Sequence, residues 1–234
     1  MKILLPVILA FAATNTFSQQ VIDVDKMDVI PMNSFYTVSG SPVVNTRFVR
    51  LVEGTPYFSD KWMKVVAIAE SGERYRSPRA RLDLFDNQLL FLNDYEKEFT
   101  CTIPLKEITL TDSLTGVSYH FVSAPALPFS ANSNRGWCLE LVKGKASLYK
   151  QFTKAVSENK PYGSSVAEQT IRTAEVFLIG YNNVLYSAKK PKDVPGILAD
   201  RKKDLEAYLQ TEAAKKGSNT DTITALVTYY NSLQ

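Results

Sequence analysis

Histidine is nearly missing from this chain, His120 being the only one, and cysteine occurs twice, at Cys101 and Cys138. One histidine and two distant cysteines cannot supply the three or four protein ligands of a zinc site. A glycine-rich phosphate loop and a nucleophile-elbow glycine pattern are both missing, which removes two common sequence signatures of catalysis. An excess of one charge is lacking too: 27 Lys and Arg face 24 Asp and Glu, a formal net charge of +3. That balance gives no electrostatic basis for nucleic-acid binding, which needs a concentrated basic excess. Beyond the N-terminus no apolar run is long enough for a membrane helix. A transmembrane barrel would alternate to its end, whereas this chain closes on helical patterns.

The longest apolar run is at the start. Met1-Lys2 precedes the 11 apolar residues Ile3 to Ala13, and small Thr16 and Ser18 stand three and one positions before a cleavage point at Gln19. A charged start, a short apolar block and small residues before the break form the pattern of a secretory signal peptide over residues 1–18. The expectation is export to the periplasm or the extracellular space, without a lipid anchor, since no cysteine follows the apolar block. Removing 18 residues leaves 216 of the 234, enough to bury a substantial core.

An oxidising compartment makes a Cys101–Cys138 disulfide an open alternative to two free thiols. Alternation weighs against it. Cys101 shares parity with Phe99, Ile103 and Leu105, while Cys138 is out of phase with Trp137, Leu139 and Leu141. The two side chains are therefore expected on opposite faces.

Residues 19–45 carry little periodicity and read as an N-terminal arm; Asp23, Asp25 and Asp28 lack the glycine and terminal glutamate of a calcium loop. Residues 46–188 read as a string of short strands. Clear ones run over 62–69, 79–85, 88–92, 99–105, 137–142 and 170–179, separated by turn residues such as Lys143-Gly144-Lys145 and Gly180-Tyr181-Asn182-Asn183. Asp86-Asn87 reads as a two-residue turn, and residues 153–168 as a long connection with a helical turn. Ser77-Pro78 interrupts alternation between Arg76 and Arg79, which predicts a bulge. After Lys190 the period changes. Val194, Ile197, Leu198, Leu205, Tyr208 and Leu209 form one helical stripe, with Asp193 as N-cap; Ile223, Leu226, Val227, Tyr230 and Leu233 form a second, started by Ser218 with Asp221. The expected fold is mainly β (α+β): an antiparallel meander, as a sandwich or curved half-barrel, with residues 189–234 forming a helical hairpin packed on it.

Gly40-Ser41-Pro42, Gly54-Thr55-Pro56-Tyr57-Phe58, Trp62, Arg81-Leu82-Asp83-Leu84-Phe85, Ser147-Leu148-Tyr149-Lys150 and Tyr229-Tyr230-Asn231 together resemble the small exported proteins of Bacteroidota. The resemblance implies a periplasmic or envelope location. It implies no catalytic residue and no cofactor.

The most distinctive polar feature is Arg74, Arg76, Arg79 and Arg81, with Arg47 and Arg50 as additions and Tyr57 among nearby aromatics that include Tyr36 and Phe58. Arginine forks suit carboxylate and phosphate, so this set is the candidate ligand-binding site, while pairing with Glu70, Glu73 or Asp83 is the structural alternative. His120 lies on a strand and reads as a sheet-surface residue. Asp83, Asp94, Glu96 and Glu98 are the carboxylates available for catalysis, and no spacing singles out a pair. No cofactor and no metal ligand is expected. The favoured reading is a non-enzymatic envelope module for a protein, peptide, glycan or lipid. A carrier for an apolar ligand and a carboxylate-dependent hydrolase are the alternatives.

Overall fold

The computed structural model describes residues 40–42, 48, 50–129, 135–163, 165–211 and 217–233, the first three as backbone alone. The signal segment 1–18, most of the arm 19–45, Tyr36 and Arg47 lie outside the described residues. Among the described residues the strands are β1 (Gly40–Pro42), β2 (Leu51–Glu53), β3 (Met63–Ala69), β4 (Arg74–Asp83), β5 (Gln88–Leu92), β6 (Glu98–Cys101), β7 (Leu105–Thr111), β8 (Ser118–Ser123), β9 (Trp137–Val142), β10 (Ser147–Asn159), β11 (Glu168–Tyr181) and β12 (Val184–Ala188). The α-helices are α1 (Val194–Ile197), α2 (Lys202–Leu209) and α3 (Asn219–Ser232).

All strands belong to one sheet, in the order β1-β6-β5-β4-β3-β7-β8-β9-β10-β11-β12, with β2 beside β11. Every pairing is antiparallel except β2 with β11. The strand path is open, and the sheet rolls: Trp137 at the start of β9 donates its Nε1 proton to the Asn87 carbonyl in the β4–β5 turn at 3.2 Å. Four strands separate β5 from β9 along the path, so only strong curvature brings them together. Gly136 permits this approach, because a Cβ there would strike the Asn87 side chain.

The roll encloses one core, to which β3 gives Met63, Val65, Ala67 and Ala69, β4 gives Ala80 and Leu82, and β7, β8 and β9 give Ile108, Phe121 and Leu139. Residues 50–58 span the opening between β11 and β4. The Gln169 N–H donates to the Arg50 carbonyl, the Phe58 N–H to the Leu82 carbonyl, and the Leu84 N–H to the Pro56 carbonyl. Phe58 then plugs the roll, its ring centroid 4.9 Å from Tyr119 and 5.0 Å from Phe121.

A second core lies where the helices cover the far half of the sheet. Leu148, Phe177, Ile179 and Ala188 meet Val194, Leu198, Leu205, Ile223, Leu226, Val227 and Tyr230, and none of the helical residues named is exposed to solvent. The greater part of both stripes read from the sequence is thus buried, with Ile197, Tyr208, Leu209 and Leu233 half-buried at the margin.

Five expectations change. Among the described residues of 153–168 there is no helical turn; β10 runs on to Asn159 and β11 starts at Glu168, a hairpin in register from Ser147↔Gly180 to Asn159↔Glu168. The alternation of Thr153, Ala155 and Ser157 with Lys154 and Val156 is too polar to signal a strand, because much of the ribbon is solvated. The β4–β5 connection is longer than Asp86-Asn87, since β4 ends at Asp83 and β5 starts at Gln88. Residues 99–105 split into β6 and β7 at Pro104, which cannot donate to a ladder. The first helical stripe is broken at Leu198, whose φ of −97° and ψ of 59° are not helical. Asp193 gives α1 no side-chain cap; its carboxylate accepts instead from the Lys189 and Lys190 N–H groups at 2.9 and 3.1 Å.

The cysteines are free, and the bridge left open by the sequence is not formed. Cys101 packs at the edge of the rolled core, whereas Cys138 is buried on the other side of the sheet with Val122, Tyr149 and Leu178. Alternation put them on opposite faces, and the fold keeps them there.

Candidate functional site

Strand β4 decides where the arginines point. Val65 pairs with Ser77 but Met63 pairs with Ala80, so β4 carries one extra residue at Pro78-Arg79. Pro78 has no N–H to lose, and the Ser77 hydroxyl holds the bulge, accepting from the Arg79 N–H at 3.3 Å and donating to its carbonyl at 3.1 Å. The bulge reverses parity. Before it Tyr75 and Ser77 turn inward, and after it Ala80 and Leu82 do. Arg74, Arg76, Arg79 and Arg81, two even and two odd in number, therefore share the outer face.

Arg81 is the best-held of the four. Its Nη2 donates to both oxygens of Glu98 at 2.9 and 3.0 Å and to the Tyr57 hydroxyl at 2.9 Å. The guanidinium carbon lies 3.7 Å from the Tyr57 ring centroid and 4.3 Å from that of Trp62, a cation–π clamp on a group only 16% exposed. Glu98 reaches it by register: Arg81 faces Leu90, Leu90 faces Thr100, and Glu98 lies two residues before Thr100 on the same face. Arg79 pairs with Glu96 at 2.7 Å. The Arg81 Nε proton is buried without a hydrogen-bond partner among the described residues.

The candidate set is thus brought together in part. Tyr57 and Arg81 touch, Arg79 lies beside them, and exposed Arg74 and half-buried Arg76 continue the row on the β3 side, opposite Ile68 and Val66. Arg50 does not join; it pairs with Glu168 at 3.4 Å at the end of β11. The acidic partners expected from proximity in sequence are replaced by Glu96 and Glu98. Glu73 instead accepts from the Tyr75 hydroxyl at 2.7 Å. The β3–β4 register brings Trp62 to Arg81 and the β4-β5-β6 register brings Glu96 and Glu98, neither of which a linear reading supplies.

Of the carboxylates named for catalysis, Asp83, Glu96 and Glu98 have other work, and Asp94 is exposed in the β5–β6 connection. Asp83 is fully buried, and its Oδ1 accepts from the Phe85 and Asp86 N–H groups at 2.9 Å each, holding the β4–β5 turn. Asp112 accepts from the Leu114 N–H and from Lys61, and these bonds, that N–H first, hold its carboxyl below the usual range. His120 Nδ1 lies 3.1 Å from the Thr109 hydroxyl on the neighbouring strand. Burial pushes the Cys101 thiol up to about 11 and the Cys138 thiol to about 12. Neither is a ready thiolate nucleophile.

Lys150 is a further group that the sequence did not single out. It sits between the two cores, 12% exposed, pairs with Glu175 at 2.6 Å and donates to the Thr220 hydroxyl at 3.2 Å. Lys154, four residues on, is held below the usual lysine value by burial, with Asp60 and Asp83 opposing the shift.

Among the described residues no three His, Cys, Asp or Glu side chains cluster so as to hold a metal ion, and no helix is long and apolar enough to cross a membrane. Set against protein-family models, curated proteins and solved structures, the chain matches none, so the reading of its function rests on its own geometry.

Proposed function

We propose that the chain is an exported, non-enzymatic module of a bacterial cell envelope that binds an anionic partner, an acidic peptide or glycan, on the outer face of β3 and β4. The observation that carries the reading is the β4 bulge, which turns four guanidiniums to one face, two of them fixed by Glu96 and Glu98. Fixed arginines lose little side-chain entropy when they bind, and Arg74, exposed in the same row, presents the planar fork that suits a carboxylate. Lys64, exposed on β3, adds to the same region. The commitment of Asp83, Glu96 and Glu98 to turn and arginine contacts favours binding over hydrolysis. The envelope location follows from the signal pattern of residues 1–18 and from the resemblance to exported Bacteroidota proteins.

The test is retention on an immobilised polyglutamate or polyuronate column as salt is raised. Arg74→Ala/Arg76→Ala should elute at clearly lower salt than the parent with an unchanged melting temperature. Equal elution of the two would reject the site.

A further inference from the structure

The β10–β11 hairpin outruns its neighbours. Strand β9 covers β10 only as far as Cys138↔Gln151, and β12 covers β11 only from Phe177 onward. From Phe152 to Asn159, β10 has no strand partner on its outer edge among the described residues. Which backbone groups face that edge follows from the other end of the hairpin. Asn182 and Asn183 have φ of 49° and 61°, a two-residue turn closing on Tyr181↔Val184, and such a turn makes its closing pair hydrogen-bonded. Odd-numbered residues of β11 thus aim at β12 and even-numbered ones at β10. The Gln169 N–H confirms the phase, since it donates to Arg50 on the β12 side. Through the β10–β11 register, Phe152, Lys154, Val156 and Glu158 then aim their N–H and C=O groups at the empty edge.

We infer that this edge pairs antiparallel with the same edge of a second copy, centred on Val156. An unpaired edge of this length is a template for another strand, and this one carries no proline within it. The open stretch runs from the end of the β9 contact at Gln151 to Lys160, before Pro161. Its midpoint is Val156, so the register centred there uses the edge fully. The same register sets Lys154 opposite Glu158 of the second copy, and Glu158 opposite its Lys154. A shift by one pair brings like or unmatched groups together, and opposite charges face to face stabilise a strand pair where like charges oppose it. Both side chains retain capacity for this contact: Lys154 uses one proton on Thr173 and Glu158 one oxygen on Gln169. The pairing is isologous and closes as a two-fold dimer, joining two open sheets through about six backbone hydrogen bonds.

Sedimentation equilibrium of the full chain tests this from roughly 1 μM to 1 mM, the range in which so small a contact should show. The parent should pass from monomer to dimer. Val156→Pro, which removes an edge N–H while Ala155 and Ser157 keep the bonds to β11, should stay monomeric. Glu158→Lys should weaken the dimer about tenfold or more, and Lys154→Glu/Glu158→Lys should restore it, because the swap rebuilds both pairs. A parent that stays monomeric at every concentration overturns the inference. So does a dimer indifferent to Val156→Pro, a charge swap that fails to restore association, or a monomer that takes up an unrelated extended peptide at this edge. Melting curves of each variant separate lost pairing from lost folding, and the swap restores pairing whatever the proline does.

Discussion

Removing the Arg81 guanidinium should destabilise the fold more than an ordinary surface ion pair would, and removing its partner as well should reverse the loss. Arg81 and Glu98 are 16% and 17% exposed, so salt and water screen them little. Arg81→Met keeps much of the stem between Tyr57 and Trp62 but strands Glu98 in a mostly dry site. Breaking a buried pair costs about 3–5 kcal/mol, and the residual exposure of this one places it near the lower end, at about 3 kcal/mol with the cation–π contacts included. For a chain of this size that is roughly 6–12 °C in melting temperature, at about 2–4 °C per kcal/mol. Arg81→Met/Glu98→Leu should recover most of it, since apolar replacement of a whole buried pair is commonly neutral or stabilising, and it also removes the partnerless Nε proton. Circular-dichroism melts of the parent, both single variants and the double variant form the cycle. If Arg81→Met melts within about 1 °C of the parent, or the double variant loses the sum of the singles, the pair is not coupled and the clamp does not exist.

Leu226→Ala, in the unexposed centre of α3, should cost about 2–5 kcal/mol and lower the melting temperature clearly, while Lys202→Ala on the solvated side of α2 should not. Gly54→Ala should destabilise as well, read in the same melts: its φ is +81°, and a Cβ there collides with the Ile171 backbone carbonyl, which cannot move aside. Asp193 has its carboxyl held below the usual range by the Lys189 N–H first and then by that of Lys190. Its contribution is therefore present above the ordinary carboxylate value and is lost as pH falls through the lowered folded value. The melting difference between the parent and Asp193→Asn should shrink as pH is taken from about 6 to below about 3.

Much of the architecture was legible along the chain. Strict alternation in Met63 to Ala69 and the 3.6-residue stripe from Ile223 to Tyr230 each state which face is buried, because strand and helix periods are properties of the backbone alone. The missed elements were those whose exposure on both sides erased the pattern. The distal half of β10, Thr153 to Asn159, is largely polar, and only long-range pairing with β11 identifies it as a strand. The candidate site was legible as residue types and not as an arrangement. The arginines stood out, and so did the break at Ser77-Pro78, but the partners of Arg79 and Arg81 lie 17 residues away across two strands.

The sequence by itself determined the local terms: the bulge at Pro78, where a ladder donor is missing, the Asn182-Asn183 turn, the Ser218 cap, and the opposed faces of Cys101 and Cys138. These depend on chain neighbours, whose separation is set by covalent geometry. Tertiary structure alone decided that the sheet rolls until Trp137 meets Asn87, that Phe58 plugs the opening, that Glu98 clamps Arg81, and that β10 is left with an open edge. Each of these depends on which strand lies beside which. That order is set by the summed burial of the whole core, and no single segment contains it.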